Sequence, residues 1–199
     1  MTAAEVVALN EADPEFVAAR AMREAERLEF EAELQRAQRP LLDELRAAGY
    51  DVSDVWDLVN TAADYSGAIP VLVRHLRRPY PDRVRGGIAR ALAIRESKAV
   101  WDELLTLYRA EAGQSWAKDG LAVAIAAAAD KDVIGDVINL IRDVDQGPTR
   151  IFFIRPLKRS RNREAQQAIE DLASDPDLYK EIAFLRKRWK PPRQDPAPR

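Results

Sequence analysis

Residues 68–94 constrain the fold most, because they encode two helices separated by a turn that contains two prolines. The first half carries apolar residues at helical spacing, at Ile69, Leu72, Val73 and Leu76. Pro79 and Pro81 exclude one continuous helix, since each lacks an amide N–H and restricts the residue before it. The second half has a single apolar stripe at Val84, Gly87, Ile88, Ala91 and Leu92. The segment therefore predicts an antiparallel helix pair.

The same pattern recurs along the chain at a nearly constant interval. The last apolar residues of the first helices are spaced by 31, 34 and 31 residues, at Leu76, Leu107, Ile141 and Leu172. A cation near the middle of each second helix recurs after 33, 32 and 30 residues, at Arg85, Lys118, Arg150 and Lys180. A helix–turn–helix period in this range is typical of stacked repeats. One further pair is predicted upstream, beginning at Pro40.

A longer helix is predicted before the pairs, from Pro14 to about Gln38, because Asp13 and Pro14 suit a helix start. Pro40 is expected to interrupt it, which places the boundary of the N-terminal element at residue 39. Its apolar positions are sparse, which favours a helix that caps the first pair. The alternative is an arm that binds a partner or dimerises. Residues 191–199 are rich in proline and are expected to be disordered.

Composition narrows the class of protein further. The 199 residues carry a formal net charge of −2 and no cysteine, which excludes disulfides, thiolate catalysis and sulfur-ligated metal and fits a reducing compartment. No apolar run reaches the roughly 20 residues of a membrane span. The N-terminus is acidic, whereas a secretory signal begins with basic residues. We therefore expect an all-α protein of the cytoplasm that does not enter a membrane.

The best-defined pair resembles a HEAT repeat. The resemblance rests on Pro70 in the first helix and on the motif Asp82-x-Val84-Arg85-x-x-Ile88-x-x-Ala91-Leu92 in the second. It is partial in the third pair and covers about three quarters of the chain. It implies a right-handed α-solenoid of about four to five antiparallel helix pairs over residues 40–190, with residues 1–39 as an N-terminal capping helix.

The family resemblance also carries expectations about function. HEAT-repeat proteins mostly serve as scaffolds or adaptors, and a few relatives are lyases or alkylpurine DNA glycosylases, so the fold alone does not exclude catalysis. The resemblance therefore favours a non-enzymatic protein that binds a protein partner.

Two glycines share one repeat position in successive second helices, at Gly87 and Gly120. A glycine inside a helix costs about 1 kcal/mol relative to alanine, so close approach of neighbouring helices is the expected compensation. Phe152 occupies this position in the fourth pair, where the packing is expected to open. Pro156, one turn later, is expected to kink or end its helix.

No residue pattern predicts a catalytic, metal or cofactor site. His75 is the one histidine, and no carboxylate cluster surrounds it in the sequence, as a zinc site or a general base requires. Residues 74–95 carry seven basic residues against one acidic residue. They represent either a phosphate-binding strip or a solvated face that pairs with acidic neighbours.

The repeat register predicts a partner-binding patch. In HEAT-like solenoids the second helices line the concave side, and the core stripe of the second pair leaves Arg83, Gly86 and Arg90 pointing away. Carried forward to the third and fourth pairs, the register places aromatic, aliphatic and basic residues at the same outward positions. Such a mixture is enriched at protein interfaces. The predicted patch comprises Arg83, Arg90, Trp116, Val123, Ile151 and Arg155. The alternative is that Trp116 folds back as a core residue.

The second hypothesis, which is disfavoured, is a nucleic-acid-binding HEAT-like protein, in one form a base-excision enzyme like the alkylpurine DNA glycosylase relatives. It requires the Arg-rich segments 74–95 and 150–163 to merge on the concave side, together with an aromatic residue and a catalytic aspartate. Residues 96–145 lie between them and carry ten acidic residues against five basic ones, which counts against this hypothesis.

Overall fold

The computed structural model describes Thr2 and residues 12–188, and this part of the chain is helical without a strand. The proline-rich tail at 191–199, expected to be disordered, lies outside it. The α-helices are α1 Pro14–Ala47, α2 Trp56–Asn60, α3 Ile69–Leu76, α4 Asp82–Ala91, α5 Trp101–Ala110, α6 Trp116–Ala128, α7 Ile134–Arg142, α8 Ile154–Arg159, α9 Arg163–Asp171 and α10 Tyr179–Arg188. Short 3-10 helices cover Ser66–Ala68, Arg95–Val100 and Val144–Phe153. The all-α prediction is confirmed.

Second helices of successive pairs pack against one another along the chain. Helix α2 contacts α4, α4 lies along α6, and α6 contacts both the 3-10 helix Val144–Phe153 and α8. Helix α6 is thus enclosed by neighbours, and its small residues fit this position, since Ala117, Ala122, Ala124 and Ala128 are buried. One continuous apolar core runs from α1 to α10.

The glycine position permits the close contact between α4 and α6. A Cβ atom placed on Gly120 would lie 2.7 Å from Ala89 Cβ and 2.8 Å from the Gly86 carbonyl oxygen. On Gly87 it would lie 2.6 Å from Val55 Cγ1, in the preceding pair. The prediction of close approach is confirmed. Gly86 was predicted to point away from the core, and this is wrong, because it is buried against Trp116.

The repeated cations are structural in three of the pairs. Arg85 Nε donates to the Leu76 carbonyl at 3.4 Å, and Arg150 Nη1 donates to the Ile141 carbonyl at 3.2 Å. Lys118 Nζ donates to the Glu111 carbonyl at 3.0 Å. Each cation therefore binds a carbonyl at or just past the end of its own pair's first helix, where the helix dipole favours positive charge.

Neither Pro40 nor Pro156 ends a helix. Pro40 lies inside α1, which continues to Ala47. An internal proline costs about 3 kcal/mol, but burying a leucine stabilises a fold by about 1.5–3 kcal/mol, and Leu41, Leu42 and Leu45 are all buried. Pro156 does not end its helix, because α8 begins only at Ile154 and the proline falls in its first turn.

The first half of α1 does not cap the first pair. Nearly all side chains of residues 14–33 are exposed, and α1 joins the core only from Leu34 onward. Four large apolar residues of this half are 46–65% exposed, at Val17, Met22, Leu28 and Phe30. The helix therefore presents an uncovered surface.

Candidate partner-binding surface

The structure divides the predicted patch between two places, the first of which is centred on Trp116. The Arg83 guanidinium lies 5.5 Å from the centre of the Trp116 ring, in cation–π geometry. The Trp116 ring also meets Trp56 edge to face, with 6.4 Å between ring centres. The Trp116 side chain is 49% exposed, while its Cβ faces Gly86 in the seam between α4 and α6. Trp116 is therefore anchored at its base and open to solvent at its ring.

The second place is an open cavity of about 580 Å³ between α6 and the elements that follow it, which we call the groove. It brings Val123, Ile151 and Arg155 together, as the repeat register predicted. The groove is lined by Ala93, Arg95, Val123, Ala126, Ala127, Ile151, Phe152, Arg155, Pro156, Arg159 and Glu181.

The groove opens where Phe152 replaces the repeated glycine. Gly120 lets the backbone of α4 approach α6, whereas the half-buried Phe152 ring lies in the cavity wall beside Val123 and Ala126. A cavity is thus present at Phe152, the position where the sequence predicted that the packing opens. The floor that results is aliphatic and aromatic.

The groove continues in both directions with a basic rim. One neighbouring cavity, of about 400 Å³, shares Arg155 and Arg159 and reaches Lys158 and Leu185 near α10. Another, of about 500 Å³, shares Arg95 and Arg159 and extends to Lys131 and Arg161. Two carboxylates of the described residues also line these cavities, Asp130 and Glu181. A hydrogen bond from Lys98 lowers the pKa of Asp130 and engages its charge. The rim therefore carries a surplus of positive charge.

Several arginines elsewhere in the described residues are bound to carboxylates. Arg74 and Arg78 both contact Glu44, and Arg85 pairs with Glu111, so part of the strip 74–95 is the paired face that the sequence allowed. Within the described residues, no carboxylate lies at ion-pair distance from the cations of the groove rim, at Arg95, Lys131, Arg155, Lys158, Arg159 and Arg161. Arg159 donates a long hydrogen bond to the Ala126 carbonyl at 3.5 Å, and no carboxylate of the described residues neutralises the charge of these rim cations.

Three of the six predicted residues therefore line one surface. Arg83 and Trp116 form the separate aromatic place, and the partly buried Arg90 on α4 lines none of these cavities. The predicted patch did not include Arg159 and Arg95, although both belong to the two Arg-rich segments of the nucleic-acid hypothesis. Arg159 follows Arg155 by four residues, which places both on one helix face, and this spacing was a usable signal. Arg95 lies after the end of α4, where the register gives no direction.

The described residues contain no group of histidine, aspartate and glutamate side chains arranged to hold a metal ion. None of the helices in the same part of the chain is long and apolar enough to cross a bilayer. No family model, curated protein or solved structure is significantly similar to this chain.

Proposed function

We propose that this protein is a non-enzymatic scaffold or adaptor of the cytoplasm that binds a protein partner through the groove. We further propose that its helix pairs stack as a HEAT-like solenoid of right-handed sense, with the groove on the concave side. The successive packing of α2, α4, α6 and α8 supports this arrangement. So does the near-constant spacing of the helix pairs in the sequence.

The observation that carries the proposal is the combination of an apolar floor with unpaired cations. Val123, Ile151 and Phe152 are only partly covered, so a partner that excludes water from them gains hydrophobic free energy. Arginines beside apolar surface are enriched at the energetic centres of protein interfaces. No carboxylate of the described residues pairs with Arg155 or Arg159. A carboxylate of the partner can therefore bind them without displacing another.

Capture of partners from cell extract tests the proposal. The variant is Arg155→Glu/Arg159→Glu, and the matched control is Arg77→Glu/Arg109→Glu, which changes the net charge equally at two exposed arginines outside the groove. We expect a protein that wild type and control both retain and that the groove variant loses. The same pattern must then hold with the two purified proteins. A partner retained equally by the groove variant overturns the assignment of this surface.

Nucleic-acid binding is the second candidate, and one observation favours it. Arg95, from the first Arg-rich segment, lines the groove together with Arg155 and Arg159 from the second. The two segments therefore meet, as that hypothesis requires. However, among the described residues Phe152 is the one aromatic residue in the groove lining, and it is half-buried, whereas single strands stack on exposed aromatic rings. Asp130, held by Lys98, is a poor match for the catalytic aspartate of a glycosylase-like site.

Fluorescence anisotropy with labelled single-stranded and duplex DNA separates the two candidates. A nucleic-acid-binding groove predicts binding that weakens steeply with salt, by a factor set by the number of phosphates neutralised. Our proposal predicts no binding at physiological salt. Salt-dependent binding that is lost in Arg155→Glu/Arg159→Glu and kept in the control would favour the second candidate.

A further inference from the structure

The exposed half of α1 has a charge opposite to that of the groove. Residues 14–33 contain six glutamates and three arginines. Glu24 and Glu31 both pair with Arg27. The remaining glutamates of this half have no ion-pair partner within the described residues, at Glu15, Glu26, Glu29 and Glu33. This part of α1 therefore carries acidic side chains that are free to meet cations.

The same half of α1 carries a narrow apolar stripe. Its members are spaced by three or four residues and so share one helix face, at Val17, Ala21, Ala25, Leu28 and Ala32. All five side chains are exposed. The buried residues farther along, such as Leu41 and Leu45, project from a different side of the helix. Glu29 lies next to the stripe, and Glu26 and Glu33 extend the acidic border.

The groove of the same chain is not where this helix lies. Helix α1 packs on α3 and α4, whereas the groove is formed by α6, the 3-10 helix Val144–Phe153, α8 and α10. No residue of 14–33 lines the groove or its two extensions. An encounter between these surfaces therefore involves two molecules.

We propose that the exposed half of α1 from one copy docks in the groove of a second copy. The apolar stripe covers the floor at Val123 and Ile151, and the acidic border faces Arg155 and Arg159. About 20 helical residues span roughly 30 Å, which suits a groove continued by cavities on both sides. Because the two surfaces differ, the contact is head-to-tail, and each copy offers a helix to one neighbour and a groove to another. The inference rests on the groove being the binding surface proposed above.

Sedimentation of the full chain over a range of concentrations tests this inference. We expect a mass that rises above the 22.4 kDa of the monomer with concentration and falls with added salt, because the contact is charged. The helix variant Glu26→Lys/Glu29→Lys/Glu33→Lys and the groove variant Arg155→Glu/Lys158→Glu/Arg159→Glu are each expected to associate at least roughly tenfold more weakly than wild type. The control Arg77→Glu/Arg109→Glu is expected to associate like wild type.

Mixing the two variants gives the decisive result. The charge-reversed helix of one variant is complementary to the charge-reversed groove of the other. The unchanged helix and the unchanged groove are also complementary. An equimolar mixture should therefore assemble, although each variant alone does not. All substituted residues lie on the surface or at the rim, and far-UV circular dichroism checks that the helices are kept. A wild-type protein that is monomeric at every concentration overturns the inference, as does a mixture that stays monomeric.

These outcomes are distinct from those of the proposed function. A monomeric protein whose groove variant loses a captured partner overturns self-association and leaves the proposed function standing. Association that persists in both charge-reversed variants places the contact elsewhere on the surface and also overturns this inference.

Discussion

Arg150 and Asp175 form a buried two-pronged ion pair, with 2.9 Å between Nη1 and Oδ2 and 3.1 Å between Nη2 and Oδ1. The Arg150 side chain is 2% exposed and that of Asp175 is 8% exposed. Arg150 also contacts Asp177 at 3.0 Å and donates to the Ile141 carbonyl. One side chain thus joins the end of α7 to the loop that precedes α10.

Replacing Arg150 with methionine should destabilise the fold, because Asp175 then stays buried without its cation. Breaking a buried pair from one side costs about 3–5 kcal/mol, and we expect a loss near the lower value in the free energy of unfolding, measured with urea. Arg27→Met is the control, since Arg27 pairs with exposed Glu24 and Glu31 and solvent screens such pairs, so its loss should be much smaller. Equal losses in the two variants would contradict the structural role of Arg150.

The sequence predicted where Arg150 stands but not what it binds. A repeat period identifies residues that face the same way, so Arg85, Lys118 and Arg150 were aligned correctly. The period contains no information about loops, and Asp175 lies in one. The same limit applies to the residues that line the groove. The register predicted Val123, Ile151 and Arg155, which lie on or beside second helices. It omitted Arg95, which lies in the connection after α4.

Local rules failed where tertiary burial was stronger. Pro40 was expected to end a helix, and it does not, because three leucines after it are buried. The opposite error concerns the first half of α1, which was expected to cap the first pair and is exposed. Sparse apolar residues indicated weak packing, but they did not distinguish a loose cap from a free helix.

Gly120→Ala should destabilise the seam between α4 and α6. The added methyl would meet Ala89 Cβ and the Gly86 oxygen at 2.7 and 2.8 Å, and overpacking of this kind costs about 1–3 kcal/mol. Gly135→Ala is the control, because Gly135 lies in α7 with open space around it. That substitution should be neutral or should stabilise the fold by up to about 1 kcal/mol. A Gly120→Ala protein with an unchanged melting temperature would contradict the close packing.

His75 should titrate below its usual pH range. Burial lowers its pKa below 6.5, and the Glu44 carboxylate, 2.9 Å from Nε2, opposes this shift in part. Because the chain has one histidine, a single imidazole signal in NMR reports the titration. Glu44→Gln removes the opposing charge, so the His75 pKa should fall further in that variant. An unchanged or higher pKa in Glu44→Gln would contradict the assignment.

The same pair makes the fold sensitive to acid. The hydrogen bond from Arg74 and the nearby His75 imidazole, with Nε2 2.9 Å from the carboxylate, lower the pKa of Glu44 from 4.5 to about 2. The stability that Glu44 contributes is therefore present above pH 4.5 and is lost as the pH falls toward 2. The lowered pKa of His75 acts in the same direction, beginning below pH 6.5, because the unfolded chain binds that proton first. The urea midpoint of wild type should therefore fall as the pH is lowered from 6.5 to 3, and a constant midpoint over this range would contradict both pKa shifts.

Trp116→Ala tests whether Trp116 and Arg83 form a second contact region besides the groove, and the substitution should leave the fold nearly intact. The substitution keeps the Cβ that faces Gly86 and removes a ring that is half exposed, so we expect a loss of only about 1 kcal/mol in unfolding free energy. Trp101→Ala is the matched control, because Trp101 is 7% exposed and its Nε1 donates to Asp136 at 2.9 Å. Truncating such a buried ring costs about 3–5 kcal/mol. If Trp116→Ala is as costly as Trp101→Ala and the partner is still captured, Trp116 is a core residue and does not belong to the binding surface. A stable variant with reduced capture places Trp116 beside Arg83 in a second contact region, separate from the groove.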